Sequence, residues 1–264
     1  MHIAVLGLGE AGSVYAADLA QRGATVVAAD PMVATAPDGV SMAPSVAAAV
    51  RGADVILSLV GARAASSVLE AALPQMTGSE LYADMNTGGP AAKRSLATLA
   101  EARRIPFIDV AILAPVLRAR VKTPLLLSGS GAARLLPRFE ELGIPATNVG
   151  ADAGLAASLK LLRSVFMKGL AGLVFESLSA ADSLGARDWV QRQIASELGP
   201  DGDALVQRLI DGTTTHAVRR QAEMQDALDY LRSVDSPSWM TEGTIEWLRQ
   251  IAARPTPARS DSTS

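Results

Sequence analysis

The sequence predicts an α/β fold: a doubly wound, mostly parallel sheet followed by a smaller all-α domain, the two joined by a long helix. Three observations predict it. As far as Gly150, short apolar runs alternate with helical patterns, and the runs barely alternate internally, as strands covered on both faces do. Beyond Gly150 there is no strand candidate, and helical patterns continue to Arg254. Where the two halves meet, residues 151–184 form one helical pattern without a proline. The expected domains are therefore 1–150 and 151–254, with 151–184 as the bridge. Residues 255–264, polar and rich in Pro and Ser, are expected to be disordered.

Taken in order, residues 2–6 are a short run of β-formers, and Gly7, Gly9 and Gly12 follow at once in G-x-G-x-x-G spacing. Residues 11–22 carry an amphipathic helical pattern stopped by Gly23, and 25–29 form a second apolar run ending at Asp30, eighteen residues beyond Gly12. A strand, a glycine turn, a helix, and a second strand closed by an acid make the Rossmann-type unit that binds a dinucleotide. Gly7 allows the turn, Gly9 lets backbone approach a pyrophosphate, and Gly12 lets the helix lie on the sheet. The residues expected to line this turn are Gly7, Leu8, Gly9, Glu10, Ala11 and Gly12, with helix N–H groups facing the phosphates. The Asp30 carboxylate can accept both ribose hydroxyls and repels a 2′-phosphate, and Pro31, not Arg, follows it. NAD is therefore expected over NADP.

The alternation then continues. Strands are expected at 54–59, 81–84, 107–112, 124–128 and 146–149, and helices at 64–72, 90–103 (Pro90 at its start) and 132–142. Val60 and Gly61 end the 54–59 strand, where backbone is expected to pass beneath a cofactor. Past 184, breaks are expected at Gly199–Pro200, Gly212 and Ser236–Pro237.

Composition narrows the function classes. With 264 residues, 49% hydrophobic and 19% charged, the chain can bury a real core, though at 4% aromatic it must fill that core with Ala, Leu and Val. A net charge of −3 speaks against nucleic acid and anionic membranes as partners. There is no cysteine, hence no disulfide, thiolate nucleophile or Cys-ligated metal. Asp182, Asp188, Asp201 and Asp203 are scattered without metal-ligand spacing, so metal-free chemistry is expected. The longest uncharged stretch, 39–50, is 12 residues with a proline, too short for a bilayer. The beginning of the chain has no basic region or cleavage signal, and a cytoplasmic protein is expected.

A second group of residues points to chemistry. Only four lysines occur: Lys93, Lys122, Lys160 and Lys168. Lys160 falls in the apolar part of the long helix, with Arg163 at i+3 and Ser164 at i+4, so the three can address one site. A partly desolvated Lys there can exchange a proton with an alcohol; the alternative is a lysine snorkelling to the surface. His216 and Arg220, at i and i+4, can hold an anionic group, in their own or a partner's site, unless they form a solvated basic face. His2 reads as structural, and Trp239 and Met240 as core or pocket wall. The long helix is apolar nearly all round, so burial on most sides, in part against a second copy, is expected: a homodimer.

The sequence resembles the β-hydroxyacid dehydrogenase superfamily, which includes 3-hydroxyisobutyrate and 6-phosphogluconate dehydrogenases. Four blocks within the first 185 residues carry the likeness. GLGEAGSVYAADLAQRGATVVAAD matches the cofactor block. YADMNTGGPAAKR is similar to the family's D-x-S-T-x-x-P block, with Asp84, Asn86, Thr87 and Pro90 in it and Asn in place of Ser. FIDVAILAPV stands where the family has D-A-P-V-S-G-G; Asp109 is kept, while Leu113, Ala114 and Pro115 replace Ser-Gly-Gly. GADAGLAASLKLLRS places Gly154 and Lys160 where the family has its catalytic lysine, with Arg163 and Ser164 in place of the usual Asn pair. The helical region resembles a branch whose C-terminal domain is phosphogluconate-dehydrogenase-like.

The resemblance implies an NAD(P)-dependent oxidoreductase passing a hydride between nicotinamide and a small, anionic hydroxy acid. It implies Lys160 as general acid/base, assisted by Ser164 and Asn86, with Asn86 also at the cofactor and Arg163, His216 or Arg220 on the anionic group. Two alternatives stand beside it: an imine reductase, against which a lysine at the proton-donor position argues, and a non-catalytic dinucleotide-binding protein.

Overall fold

A computed structural model describes residues 1–253, so the tail expected at 255–264 lies outside the described residues. The chain divides into two compact units between Lys160 and Leu161. The division expected at 150 falls ten residues earlier; the difference is the start of the long helix, whose first turn is hydrogen-bonded to the sheet (below).

The first unit is built on an eight-stranded sheet of order β3-β2-β1-β4-β5-β6-β7-β8. Its strands are β1 (His2–Leu6), β2 (Thr25–Ala29), β3 (Val40–Met42), β4 (Val55–Ser58), β5 (Leu81–Asp84), β6 (Phe107–Ile112), β7 (Leu125–Ser128) and β8 (Ala146–Gly150). The helices are α1 (Glu10–Gln21), α2 (Val46–Val50), α3 (Ala65–Ala72), α4 (Pro90–Glu101), α5 (Val116–Ala119) and α6 (Ala132–Glu141). β1 to β6 are parallel, and the chain reverses only between β6 and β7, so that β7 and β8 run the other way. The edge strand β3 and the one-turn α5, with the short α2, have no counterpart in the expected elements. Each is too short to show a period.

Successive residues of β1 enter opposite cores: Ile3 and Val5 pack under one face of the sheet with Val14, Leu19 and Phe139, and Ala4 and Leu6 under the other with Leu69, Leu96 and Phe107. That double burial explains why the strand runs scarcely alternate. Tyr82 and Phe107, neighbours on β5 and β6, stack with centroids 6.3 Å apart and add one of the few aromatic contacts.

The long helix, α7 (Leu155–Asp182), leaves the sheet and supplies the first element of the second unit, followed by α8 (Arg187–Glu197), α9 (Gly202–Ser233) and α10 (Trp239–Ala252). Ala171, Val174 and Leu178 of α7 pack with Ala195, Val206 and Leu209. The breaks at Gly199–Pro200 and Ser236–Pro237 separate helices, but the break expected at Gly212 is absent: α9 continues through it and kinks at His216 (φ −125°, ψ 25°). The reason lies at Gly212 itself, where a Cβ would come within 2.7 Å of the Arg220 guanidinium, so the missing side chain makes room for Arg220. Within one chain α7 is not buried on most sides: Leu162, Phe166 and Leu173, on one stripe, are exposed, Phe166 to 68%.

Candidate functional site

The glycine turn between β1 and α1 separates three glycines by cause. Gly7 has φ 93°, and a Cβ there would stand 2.6 Å from the Leu59 carbonyl oxygen. A Cβ on Gly12 would stand 2.0 Å from the Gly7 carbonyl oxygen. The chain's own packing demands both. Gly9 differs: its φ of −65° suits any residue, and nothing lies within 4 Å of its Cβ position. Gly9 is the N-cap of α1 and offers no side-chain cap, so the helix opens onto free space with backbone alone. A cradle of bare N–H groups at a helix N-terminus, with room where a side chain would project, fits a pyrophosphate.

Asp30 closes this turn. One carboxylate oxygen accepts the Leu8 N–H at 2.7 Å and the other the Met32 N–H, also at 2.7 Å. The acid thus ties the second strand to the glycine loop, and each oxygen keeps a lone pair for a hydroxyl. Ser13 donates to the Leu8 carbonyl at 2.7 Å and steadies the loop from the helix side. Leu8 is buried, whereas Glu10 is exposed.

Starting on β4, the strand next to β1, is a polar cluster whose members are scattered along the sequence. The register aligns Ser58 with Asp84, Asp84 with Asp109, and Asp109 with Ser128, one row across β4, β5, β6 and β7. All four side chains are buried, with Asn86 and Lys93 beside them. Lys93 Nζ lies 2.6 Å from Asp84 Oδ2, 3.0 Å from the Asp84 carbonyl and 3.3 Å from Asp109 Oδ1. Asn86 donates from Nδ2 to Asp84 Oδ1 (2.5 Å) and Ser58 Oγ (3.1 Å), and its Oδ1 accepts the Gly61 N–H at 2.7 Å. Asp109 Oδ2 accepts the Ala157 N–H and Ser128 Oγ the Ala156 N–H, each at 3.0 Å, so the first turn of α7 is capped by the sheet.

Asn86 therefore has both amide hydrogens engaged inside the protein. Its carbonyl oxygen anchors the Gly61 loop. Lys93 was one of four lysines with nothing to mark it, yet a signal existed. On α4 it falls between Pro90 and Ala97, both buried, at i+3 and i−4, on the stripe that faces the core.

Lys160 is half-buried on α7, three residues past Ala157. Ser164, one turn on, accepts from Lys168 Nζ at 3.0 Å, and Lys168 pairs with Glu223 Oε2 at 2.8 Å. Lys168 is a second amine on this helix that sequence reading passed over. Burial holds its pKa below the ordinary lysine value, although Glu223 pulls it back up. Arg163 is exposed, as is His216 at the kink. Arg220 is half-buried and turned back along α9, donating to Thr213 Oγ1 at 2.5 Å. Trp239 and Met240, expected in a core or pocket wall, are exposed at the first turn of α10. Among the described residues no three His, Asp or Glu side chains converge as metal ligands. None of the described helices is long and apolar enough to cross a membrane.

Comparison with known proteins accords with this geometry. Residues 2–149 match the family described as the NAD binding domain of 6-phosphogluconate dehydrogenase, and residues 181–251 match a domain of unknown function, DUF1932. The chain is 27% identical over 207 residues to a 3-hydroxyisobutyrate dehydrogenase of Pseudomonas aeruginosa, covering 74% of this chain and 68% of that one. A conserved hypothetical protein of Sinorhizobium meliloti has the same fold with a TM-score of 0.81 at 28% identity, over 100% of this chain and 91% of that one. A 3-hydroxyisobutyrate dehydrogenase of Mycobacterium tuberculosis, solved with L-serine, superposes with a TM-score of 0.80 at 20% identity, over 96% and 94% of the two chains. With a nucleotide-binding unit of that family and this helical second unit, the chain belongs to the β-hydroxyacid dehydrogenase-like superfamily of nicotinamide-dependent oxidoreductases.

Proposed function

We propose that this protein oxidises a small, anionic hydroxy acid, or reduces the matching carbonyl, with NAD as the favoured cofactor and Lys160 as general acid/base. The observation that carries the proposal is the open space at Gly9 in a turn whose other two glycines are accounted for by packing. When bound, the nicotinamide supplies the hydride-accepting carbon. The N–H groups at the start of α1 hold the pyrophosphate, Asp30 accepts the ribose hydroxyls, and Val60 and Gly61, anchored by Asn86, form the floor of the loop after β4. Lys160 takes the hydroxyl proton as the carbon loses hydride and returns it in reverse. Ser164, fixed by Lys168, serves beside it. Arg163, His216 and Arg220 are the helical unit's candidates for an anionic group. A second copy covering Leu162, Phe166 and Leu173 makes the working form a homodimer.

Fluorescence titration with NADH and NADPH, then a panel of phosphorylated and unphosphorylated hydroxy acids with a cyclic imine as control, tests the proposal. The expected result is tighter NADH binding and turnover of a hydroxy acid. Imine reduction with NADPH, or tight binding without any turnover, overturns it. Lys160→Ala is expected to lower turnover by about 10²- to 10⁴-fold with cofactor affinity little changed. A loss of only a few-fold removes Lys160 from that role.

A further inference from the structure

We infer that Lys93 is a positioning residue for this site: its buried ammonium orients two carboxylates, one fixing the Gly61 loop through Asn86 and the other holding the turn of α7 that precedes Lys160. The inference rests on the oxidoreductase reading for its catalytic consequence but not for its structural one.

The chemistry of the cluster leads there. Lys93 Nζ donates to Asp84 Oδ2 and the Asp84 carbonyl, and it pairs by charge with Asp109 Oδ1. Asp109 Oδ1 has no hydrogen-bond partner, so the ammonium at 3.3 Å is what answers it. Lys93, Asp84 and Asp109 are 2%, 1% and 0% exposed. Burying one amine and two carboxylates costs more than apolar side chains of the same volume would, so stability alone is a poor reason for the cluster. Its place is informative. Both of its outward connections end on backbone beside the candidate site, one at the Gly61 N–H and the other at the Ala156 and Ala157 N–H groups. With Lys93 in place, Asp84 Oδ1 is left to accept from Asn86, which turns the Asn86 carbonyl toward Gly61. Asp109 Oδ2 is left to cap α7. One amine thereby sets the height of the loop after β4 and the start of the helix carrying Lys160.

The chain has no cysteine, which opens a selective test. Lys93→Cys can be alkylated while unfolded with 2-bromoethylammonium, giving thialysine at 93 alone, then refolded. Wild type, Lys93→Cys and the alkylated protein are compared by amide exchange, by NADH titration and by turnover of 3-hydroxyisobutyrate with NAD. For Lys93→Cys, exchange at Gly61, Ala156 and Ala157 is expected to quicken at least about tenfold relative to β1 and β2. Turnover is expected to fall about 10²-fold with KM within about threefold, the cost of misplacing reacting groups by about an ångström. Thialysine restores both. Unchanged exchange and turnover in Lys93→Cys, or thialysine that restores melting temperature without kcat, overturns the inference. Should wild type not turn over that alcohol, the kinetic arm uses whichever hydroxy acid of the panel it does oxidise; should it oxidise none, the oxidoreductase reading falls on its own, and the exchange data still decide the role of Lys93. If Lys93→Cys does not refold, Asp109→Asn carries the test: Ala157 loses protection while Gly61 keeps it, and loss at both or at neither overturns the claim.

Discussion

The sheet unit and the helical unit treat their polar residues in opposite ways. In the first, a set of charged groups is internal and paired, with Lys93 between Asp84 and Asp109, and Asp30 is held between two backbone N–H groups. In the second, Arg163 and His216 stand in solvent, and the pairs Arg232–Glu242 and Arg187–Asp182 are surface bridges of small worth. Large apolar side chains are exposed there too, among them Phe166, Trp189 and Trp239. The sheet unit therefore prescribes atoms one by one, down to which glycine may carry a Cβ. The helical unit prescribes helices and leaves their outer faces open to change. Function that depends on ångström placement should be brittle in the first unit and tolerant in the second.

The largest expected effect breaks the glycine turn. Gly12→Ala places a methyl 2.0 Å from the Gly7 carbonyl, a clash with backbone that cannot yield. A loss of about 3 kcal/mol or more is expected in denaturant unfolding, taking cofactor binding with it. Gly9→Ala sharpens the contrast, because its methyl meets only open space. Stability should change by less than about 1 kcal/mol while NADH affinity falls about tenfold or more. Equal affinity in Gly9→Ala would mean that no phosphate approaches that backbone. Next in size, Asp30→Ala is expected to weaken NADH and narrow the gap to NADPH. Since Asp30 also holds Leu8 N–H, some loss of NADPH affinity should accompany it.

How much of this was legible follows from the same contrast. The turn could be read because its causes are local: three glycines, a strand before, a helix after and an acid at a fixed distance. The sheet order could be read in class, since apolar runs covered on both faces announce parallel strands. The Lys93 cluster could not be read as a unit, because its members come from five separate elements and meet only through register. Asp84 and Asp109 were each noticed in a motif, but nothing in one dimension says that they share an amine. For Asn86, only geometry shows where its two amide hydrogens go. Gly212 misled because a glycine signals a break when its local freedom is considered, whereas here it makes room for Arg220 from two turns away. Trp239 and Met240 misled because hydrophobicity predicts burial only on average.

The smallest expected effect lies at a boundary between the two regimes, where α1 meets the loop after β6. Arg120 holds φ 53° and ψ −135°, a conformation an L side chain resists, and its guanidinium grips Asp18 of α1 at 2.5 and 2.9 Å. Asp18 is buried, which alone would raise its pKa, but the hydrogen bonds from Arg120 and the Val121 N–H, with the charges of Arg120 and Arg22, outweigh burial and hold it below the usual carboxylate value. A depressed folded-state pKa means that the pair's contribution is present above the unfolded value near 3.9 and is lost as pH falls through the folded one. Arg120 is half exposed, so screening keeps the contribution modest. Arg120→Ala loses the grip and keeps the backbone strain, and it should melt below wild type at pH 7. Because it also gives up much of what depresses Asp18, the difference should shrink as the pH drops below that value. Arg120→Gly loses the grip but relieves the strain, and should melt close to wild type at pH 7. If both variants melt equally low, the backbone at 120 costs nothing and loss of the ion pair accounts for the whole effect. If Arg120→Ala matches wild type, the pair contributes nothing, and the loop after β6 is held by the Val121 N–H on Asp18 and by burial of Val121 and Val116.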